Sequence, residues 1–330
     1  MSFRICTIGC GGMAQAGHGP SYQKYVAEHA GVELAACCDI NAERAEEFRQ
    51  RFGFAKSYTD FREMLRAEKP DAVCLLVNVE YLCPLSIEIF ELGIPLLLEK
   101  PPGLDVAETT RMAEAAARRG VPHAVAFNRR STPIINIMRD EVAAIEASGL
   151  KTQRYHYELL RYKRPDPDFS TTAIHGIDAL RHIARADYKT IHFFYQELPE
   201  LGAGVCNISM ECTLTSGAAA SLLFAPVNGK LSETGRALAY NHCVEVSMPT
   251  PEPSDSLMRH YDCKKIVREV CGETLPGGGE SYITSGFYGE NCSFFDDIQA
   301  GRTPVNLLPT ALQSVAVAEC LRKRAATYGL

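Results

Sequence analysis

Ile8-Gly9-Cys10-Gly11-Gly12-Met13-Ala14-Gln15-Ala16 follows the short apolar run Phe3-Arg4-Ile5-Cys6-Thr7, and its reading decides the fold. Gly9, Gly11 and Ala14 stand at the G-x-G-x-x-G/A spacing of a strand–turn–helix. The first glycine permits a tight turn, the second lets the backbone approach a pyrophosphate, and the small third residue keeps the helix close to the sheet. The helix after the turn points free N–H groups and the positive end of its dipole at bound phosphates. Alone the motif is weak, because glycines also crowd ordinary turns.

The next apolar run, Val32-Glu33-Leu34-Ala35-Ala36-Cys37-Cys38, ends on Asp39. A carboxylate at the tip of a second strand accepts adenosine ribose hydroxyls and repels a 2′-phosphate, which predicts NAD over NADP. The competing reading makes Asp39 the cap of a helix starting near Asn41. Arg44 stands close enough to blur the cofactor preference.

Composition narrows the function classes. The 330 residues are 46% apolar and 22% charged, with a net charge of −6. That leaves room for two domains and supplies no basic field for nucleic acid. No run reaches the length of a membrane span, and the chain enters a strand at once with no signal-peptide pattern. Thirteen cysteines without a C-x-x-C pair suit small buried hydrophobes in a reducing compartment better than disulfides or zinc ligands. A cytoplasmic protein is expected.

Short apolar runs (4–8, 33–38, 72–77, 95–99, 123–127) alternate with helical stretches (42–52, 61–66, 84–92, 106–119). Gly53, Gly93 and Gly120 sit where helices should end. The alternation predicts a doubly wound parallel sheet over residues 1–125. Residues 126–330 then form a second α/β domain: a helix at 132–146, β-rich stretches at 152–161, 190–198, 204–215 and 218–225, a helical island at 171–184, and two closing helices at 291–300 and 309–324. Residues 249–253 and 276–279 read as loops, and 160–169 and 228–240 as loops that shape a substrate pocket.

Two places carry chemistry. Glu99-Lys100-Pro101-Pro102 follows the fourth strand, so Lys100 projects toward the ligand crevice at the carboxyl ends of the strands; a surface lysine before a stiff turn is the plain alternative. In the island, Thr171, His175, Asp178 and His182 share one helical stripe. That stripe is a solvated face, a metal site without H-E-x-x-H spacing, or a substrate-facing acid/base group with His175 acting and Asp178 orienting.

Together these residues resemble the Gfo/Idh/MocA family (glucose–fructose oxidoreductase, inositol dehydrogenase, rhizopine catabolism). The resemblance rests on the Gly9–Ala14 loop, Asp39, Glu99-Lys100-Pro101, Asn128-Arg129-Arg130, His175-x-x-Asp178, and Glu290, Phe294, Ile298 and Gly301 at the spacing of the family's closing helix. It implies an N-terminal Rossmann domain and a C-terminal α/β domain with a large, mostly antiparallel open sheet. It implies a held nicotinamide cofactor and hydride transfer with a carbinol carbon of a sugar, cyclitol or related polyol. Lys100 and His175 would be catalytic. Asp178, Asn128, Arg129, Tyr157 and Thr171 would face substrate, and Gly9, Gly11, Gly12, Met13, Asp39, Asn78, Glu99 and Lys100 would face the cofactor. No metal is called for.

Two departures stand out. Thr171 and Ala173 occupy the aspartate and glycine of the family's D-x-G-x-H run, and Val77-Asn78-Val79-Glu80-Tyr81-Leu82 lacks its usual proline and histidine. The rival readings are an NAD-dependent glycoside hydrolase or lyase working by transient oxidation, and a non-catalytic cofactor-binding protein. Since 205–224 is rich in apolar residues, the open sheet face is expected to bury itself in a homodimer or homotetramer.

Overall fold

The computed structural model describes residues 2–249 and 256–329; most of the proline-rich stretch 249–253 lies outside the described residues. By chain contacts the molecule divides into two units, Met1–Asn128 with Gly286–Val315, and Arg129–Ser285 with Ala316–Leu330.

The first unit alternates β1 (Phe3–Ile8), α1 (Gly19–Glu28), β2 (Val32–Cys38), α2 (Ala42–Phe52), β3 (Lys56–Tyr58), α3 (Phe61–Glu68), β4 (Ala72–Leu75), α4 (Val79–Glu91), β5 (Leu96–Glu99), α5 (Val106–Arg119) and β6 (His123–Ala126). The six strands are parallel, in the order β3-β2-β1-β4-β5-β6, the order of the dinucleotide-binding fold. β4, β5 and β6 are buried along their whole length, as a sheet covered on both faces requires. Gly53, Gly93 and Gly120 take φ of +80°, +75° and +63° at or just past helix ends.

The second unit contributes α6 (Pro133–Ala147), β7 (Thr152–Leu160), α7 (Ser170–Ala184), β8 (Tyr188–Glu197), β9 (Cys206–Leu214), β10 (Ala219–Ala225), β11 (Ser232–Ala239), β12 (His242–Ser247), β13 (Leu257–Asp262), β14 (Lys265–Cys271), the short α8 (Ser281–Thr284) and β15 (Thr327–Tyr328). Its nine strands run β14-β13-β12-β11-β7-β10-β9-β8-β15. Among the described residues only the β7–β10 pair of this sheet is parallel. The α/β class and both sheet types agree with the sequence reading.

Three expectations change. Residues 232–239 are a strand paired to β7, so most of the expected pocket loop at 228–240 belongs to the sheet. β12, β13 and β14 were also absent from the reading. The apolar residues of 204–225 do not make a greasy open face. Cys206, Ile208, Met210, Cys212, Leu214, Ala220, Leu222 and Phe224 are buried, while Asn207, Ser209, Glu211, Thr213 and Ser221 occupy the alternate positions. The uncovered face mixes polar residues, with Arg154 2.9 Å from Glu211, with the exposed Phe194 and the half-buried Leu223, cross-strand neighbours of Ser209.

The helix α9 (Phe287–Gln299) belongs by contacts to the first unit, although the sequence reading places it in the second domain. Phe294 and Phe295 are buried beside Tyr22, Tyr25 and Ile5, and each such ring contributes about 1.5–3 kcal/mol on burial. The last helix, α10 (Leu308–Arg322), spans the division between the units.

Candidate active site

The glycine loop turns as its spacing demands. Gly9 has φ +95°, and a Cβ there would lie 2.3 Å from the Leu76 carbonyl oxygen, so this position admits only glycine. Cβ atoms at Gly11 and Gly12 would meet nothing within 4 Å. The room the motif reserves for a pyrophosphate is therefore not filled by protein.

Asp39 proves to be tied to that loop. Its carboxylate accepts the Cys10 N–H (2.9 Å) and the Asn41 N–H (2.9 Å), with the Arg44 guanidinium 3.5 Å away. Asn41, not Asp39, caps α2, accepting the Arg44 N–H at 3.0 Å. The helix-cap reading of Asp39 is thereby replaced by a brace between the tip of β2 and the glycine turn. Gly9, Gly11, Asp39 and Asn78 line one cavity of ≈ 550 Å³ together with Ile40, Tyr81 and others. Gly12 lines a neighbouring cleft with Gln15, Arg44 and Arg51. Met13 is half-exposed beside the loop. These features fit an adenine dinucleotide: an unfilled cradle at the glycine turn, a carboxylate at the strand tip, and a cavity next to both.

The loops after β1, β2, β4 and β5 all leave the carboxyl edge of the parallel sheet, and Lys100 follows β5 there, joined to Pro101 by a cis peptide. Glu99 does not line the cavity. One of its oxygens lies 3.2 Å from His18 Nε2 and the other accepts the Lys100 N–H at 3.0 Å. Burial pushes this carboxyl up, but His18 and Lys100 outweigh burial and hold it below the usual carboxylate range. His18 itself escaped the sequence reading. The segment Ala14–His18 winds as a π-helix, which a 3.6-residue periodicity cannot reveal. Asn128 is buried at the start of a short turn after β6.

In the second unit the residues expected around substrate have found protein partners. Asp178 is buried and takes both hydrogen bonds of a bidentate pair with Arg130, at 2.7 and 2.6 Å. Arg129 is bidentate on Glu233, whose carboxylate also accepts the Tyr157 hydroxyl (2.6 Å) and Arg161 (2.8 Å). Burial raises the Glu233 carboxyl, yet the two guanidiniums and the phenol bring it down to about 2. These contacts tie Asp178 and Arg129 into buried ion pairs and give the Tyr157 hydroxyl a buried carboxylate to donate to. Arg161 and Glu233 carry no motif and were missed, and the Asn128-Arg129-Arg130 motif did not reveal the pairing of Arg130 with Asp178, since these partners lie far away in sequence.

The polar stripe of α7 is not a solvated face. α6 packs on α7, and His182 Nε2 meets Asn136 (2.8 Å) and Arg139 (3.2 Å) from α6. Burial and the nearby Arg139 and Arg130 push His182 down to about 4, so it is neutral at pH 7. Thr171 and His175 lie half-buried on the same helix. Among the described residues no group of three His, Cys, Asp or Glu side chains is arranged to hold a metal ion, and no helix is long and apolar enough to cross a membrane.

Comparison with known proteins bears on this geometry. Residues 3–127 match the family model described as an oxidoreductase family with an NAD-binding Rossmann fold. Inositol 2-dehydrogenase of Salmonella typhimurium is 25% identical over 171 residues, 50% of this chain and 51% of that one. D-apiose dehydrogenase of Paraburkholderia graminis is 34% identical over 109 residues, 32% of this chain and 28% of that one. The match thus spans about half the length of the inositol dehydrogenase and less of the other. Levoglucosan dehydrogenase in complex with NADH has the same fold, with a TM-score of 0.83 at 17% identity over 99% of this chain and 97% of that one. The matched model covers the glycine loop, the Asp39 brace and the Glu99-Lys100-Pro101 turn, and residues 3–127 are the NAD-binding Rossmann domain of a Gfo/Idh/MocA-type oxidoreductase.

Proposed function

We propose that this protein is an NAD-dependent dehydrogenase that oxidises a secondary hydroxyl of a sugar, cyclitol or related polyol, or reduces the matching ketone. The observation that carries the reading is the glycine turn braced by Asp39 beside an unfilled cavity, with Lys100 on the same edge of the sheet. The relatives named above act, by their names, on inositol, apiose and levoglucosan, all polyhydroxylated. When bound, the nicotinamide ring supplies the hydride acceptor.

The chain's own residues then have these tasks. The N–H groups of Gly11 and Gly12 hold the pyrophosphate, and Asp39 accepts ribose hydroxyls with the lone pairs left by Cys10 and Asn41. Lys100 donates a hydrogen bond to the reacting oxygen and stabilises its developing negative charge. His175 is the second proton-handling group, with no carboxylate at position 171 to raise its basicity. NAD is preferred to NADP, because the Asp39 carboxylate and a 2′-phosphate repel. Thirteen thiols without a disulfide suit a cytoplasmic setting. A homodimer or homotetramer through the uncovered sheet face completes the proposal, and light scattering at micromolar concentration decides it.

Absorbance at 340 nm across a panel of inositols, pentoses and anhydrosugars tests the activity. Stoichiometric NADH formation with at least one of them is expected. Cofactor binding with no turnover on the whole panel would replace this reading with a non-catalytic one. Product formation without net NADH would point to the hydrolase or lyase.

A further inference from the structure

His18 is a buried ionisable group to which the proposed chemistry gives no task. It lies wholly out of solvent, one π-helical turn beyond the glycine loop, where the Gly19 N–H reaches back to the Ala14 carbonyl. One extra residue in a turn rotates the downstream helix by roughly 100° about its axis. That winding aims position 18 at the sheet edge. Gly17 makes the close approach possible, since a Cβ there would lie 2.6 Å from the Phe287 ring.

Both ring nitrogens of the imidazole have polar partners, and Nδ1 faces the Asn291 amide, whose oxygen is 3.4 Å away. Nε2 lies 3.2 Å from Glu99 Oε1, and Nδ1 lies 3.1 Å from the Asn291 amide nitrogen, which also donates to the Phe287 carbonyl at 2.7 Å. An Nε2–H donating to Glu99 and an Nδ1 accepting from Asn291 satisfy both ring nitrogens. Glu290 stands next nearest, 4.0 Å from Nε2. The other oxygen of Glu99 accepts the Lys100 N–H. A continuous chain of hydrogen bonds thus runs from α9 through His18 and Glu99 to the backbone of Lys100.

We propose that His18 is a positioning residue for Lys100, holding Glu99 so that the phosphate-binding turn and the lysine keep one fixed spacing. The proposal rests on the role of Lys100 given above. Misplacing a reacting group by an ångström costs about 100-fold in rate, so such a brace is read in kcat more than in cofactor affinity.

The test compares His18→Ala, His18→Gln and Glu99→Gln. Glutamine at 18 returns a donor close to the place of Nε2. His18→Ala is expected to lower kcat on a working polyol by about 10- to 100-fold, with KM and the NADH dissociation constant within about threefold of the parent. His18→Gln should recover most of that loss. A second readout needs no turnover: reductive methylation with ¹³C-formaldehyde, with the Lys100 resonance assigned by its absence in Lys100→Arg. That resonance and its titration midpoint should move in His18→Ala and return in His18→Gln. An unmoved resonance in a folded His18→Ala protein overturns the proposal and leaves the imidazole as filler. Should His18→Ala fail to fold, Glu99→Gln, which keeps volume and drops charge, decides by the same two readouts. If the parent turns over no polyol, the function reading fails, while the Lys100 resonance still decides the positioning role.

Discussion

Replacing Glu233 by glutamine keeps the shape of the side chain and removes the charge that holds Arg129 and Arg161. A fall of the carboxyl from its ordinary 4.5 to about 2 corresponds to about 3 kcal/mol, at roughly 1.4 kcal/mol per pH unit. Removing one partner of a buried ion pair typically costs about 3–5 kcal/mol, because the remaining charge stays buried without compensation. The two routes agree. A folded-state value below the unfolded one stabilises the protein fully above pH 4.5, and this contribution disappears as pH falls toward 2. Glu233→Gln is therefore expected to unfold about 3 kcal/mol more easily at pH 7, or about 6–12 °C lower for a unit of this size. The deficit should shrink as both proteins are taken toward about pH 3. Urea and thermal unfolding followed by far-UV circular dichroism suit the measurement, because the chain has no tryptophan. An undiminished midpoint at pH 7, or a deficit independent of pH, would refute the reasoning.

Lys100→Ala is expected to lower kcat by at least about 100-fold while NADH still binds, whereas His175→Ala retains measurable turnover; kcat and cofactor titrations on one substrate decide, and near-normal kcat in Lys100→Ala sinks the chemistry. NAD should bind several-fold more tightly than NADP, and Asp39→Asn should narrow that gap and loosen the glycine turn by weakening the bond from the Cys10 N–H; fluorescence titration with both cofactors checks it, and equal affinities in the parent contradict it. Activity should survive exhaustive EDTA treatment, and stoichiometric zinc whose removal abolishes turnover would reassign His175 and His182 as ligands.

The first unit was legible because its signals are local. A glycine that must take positive φ, a carboxylate at a strand tip and glycines at helix ends each act within a few residues, and the 2.0 and 3.6 periods do the rest. α2 and α5 agree with the structure to the residue. The family pattern in Glu290, Phe294 and Ile298 was readable as spacing; that these side chains pack into the first unit was not.

What only the tertiary structure decided is where the polar groups of the helices and strands find partners. Asp178 and Tyr157 carry side chains that suit a substrate equally well. Their burial against Arg130 and Glu233 depends on residues 48 and 76 positions away, and no local period encodes such a pairing. His18 was hidden for a related reason: one π-helical turn shifts the phase of the helix, so sequence spacing no longer tells which face a residue joins. The sequence determined the element order and the chemistry on offer. Long-range packing determined which charges are neutralised inside the fold and which remain for a ligand, because burying a charge without a partner costs more than any local preference supplies.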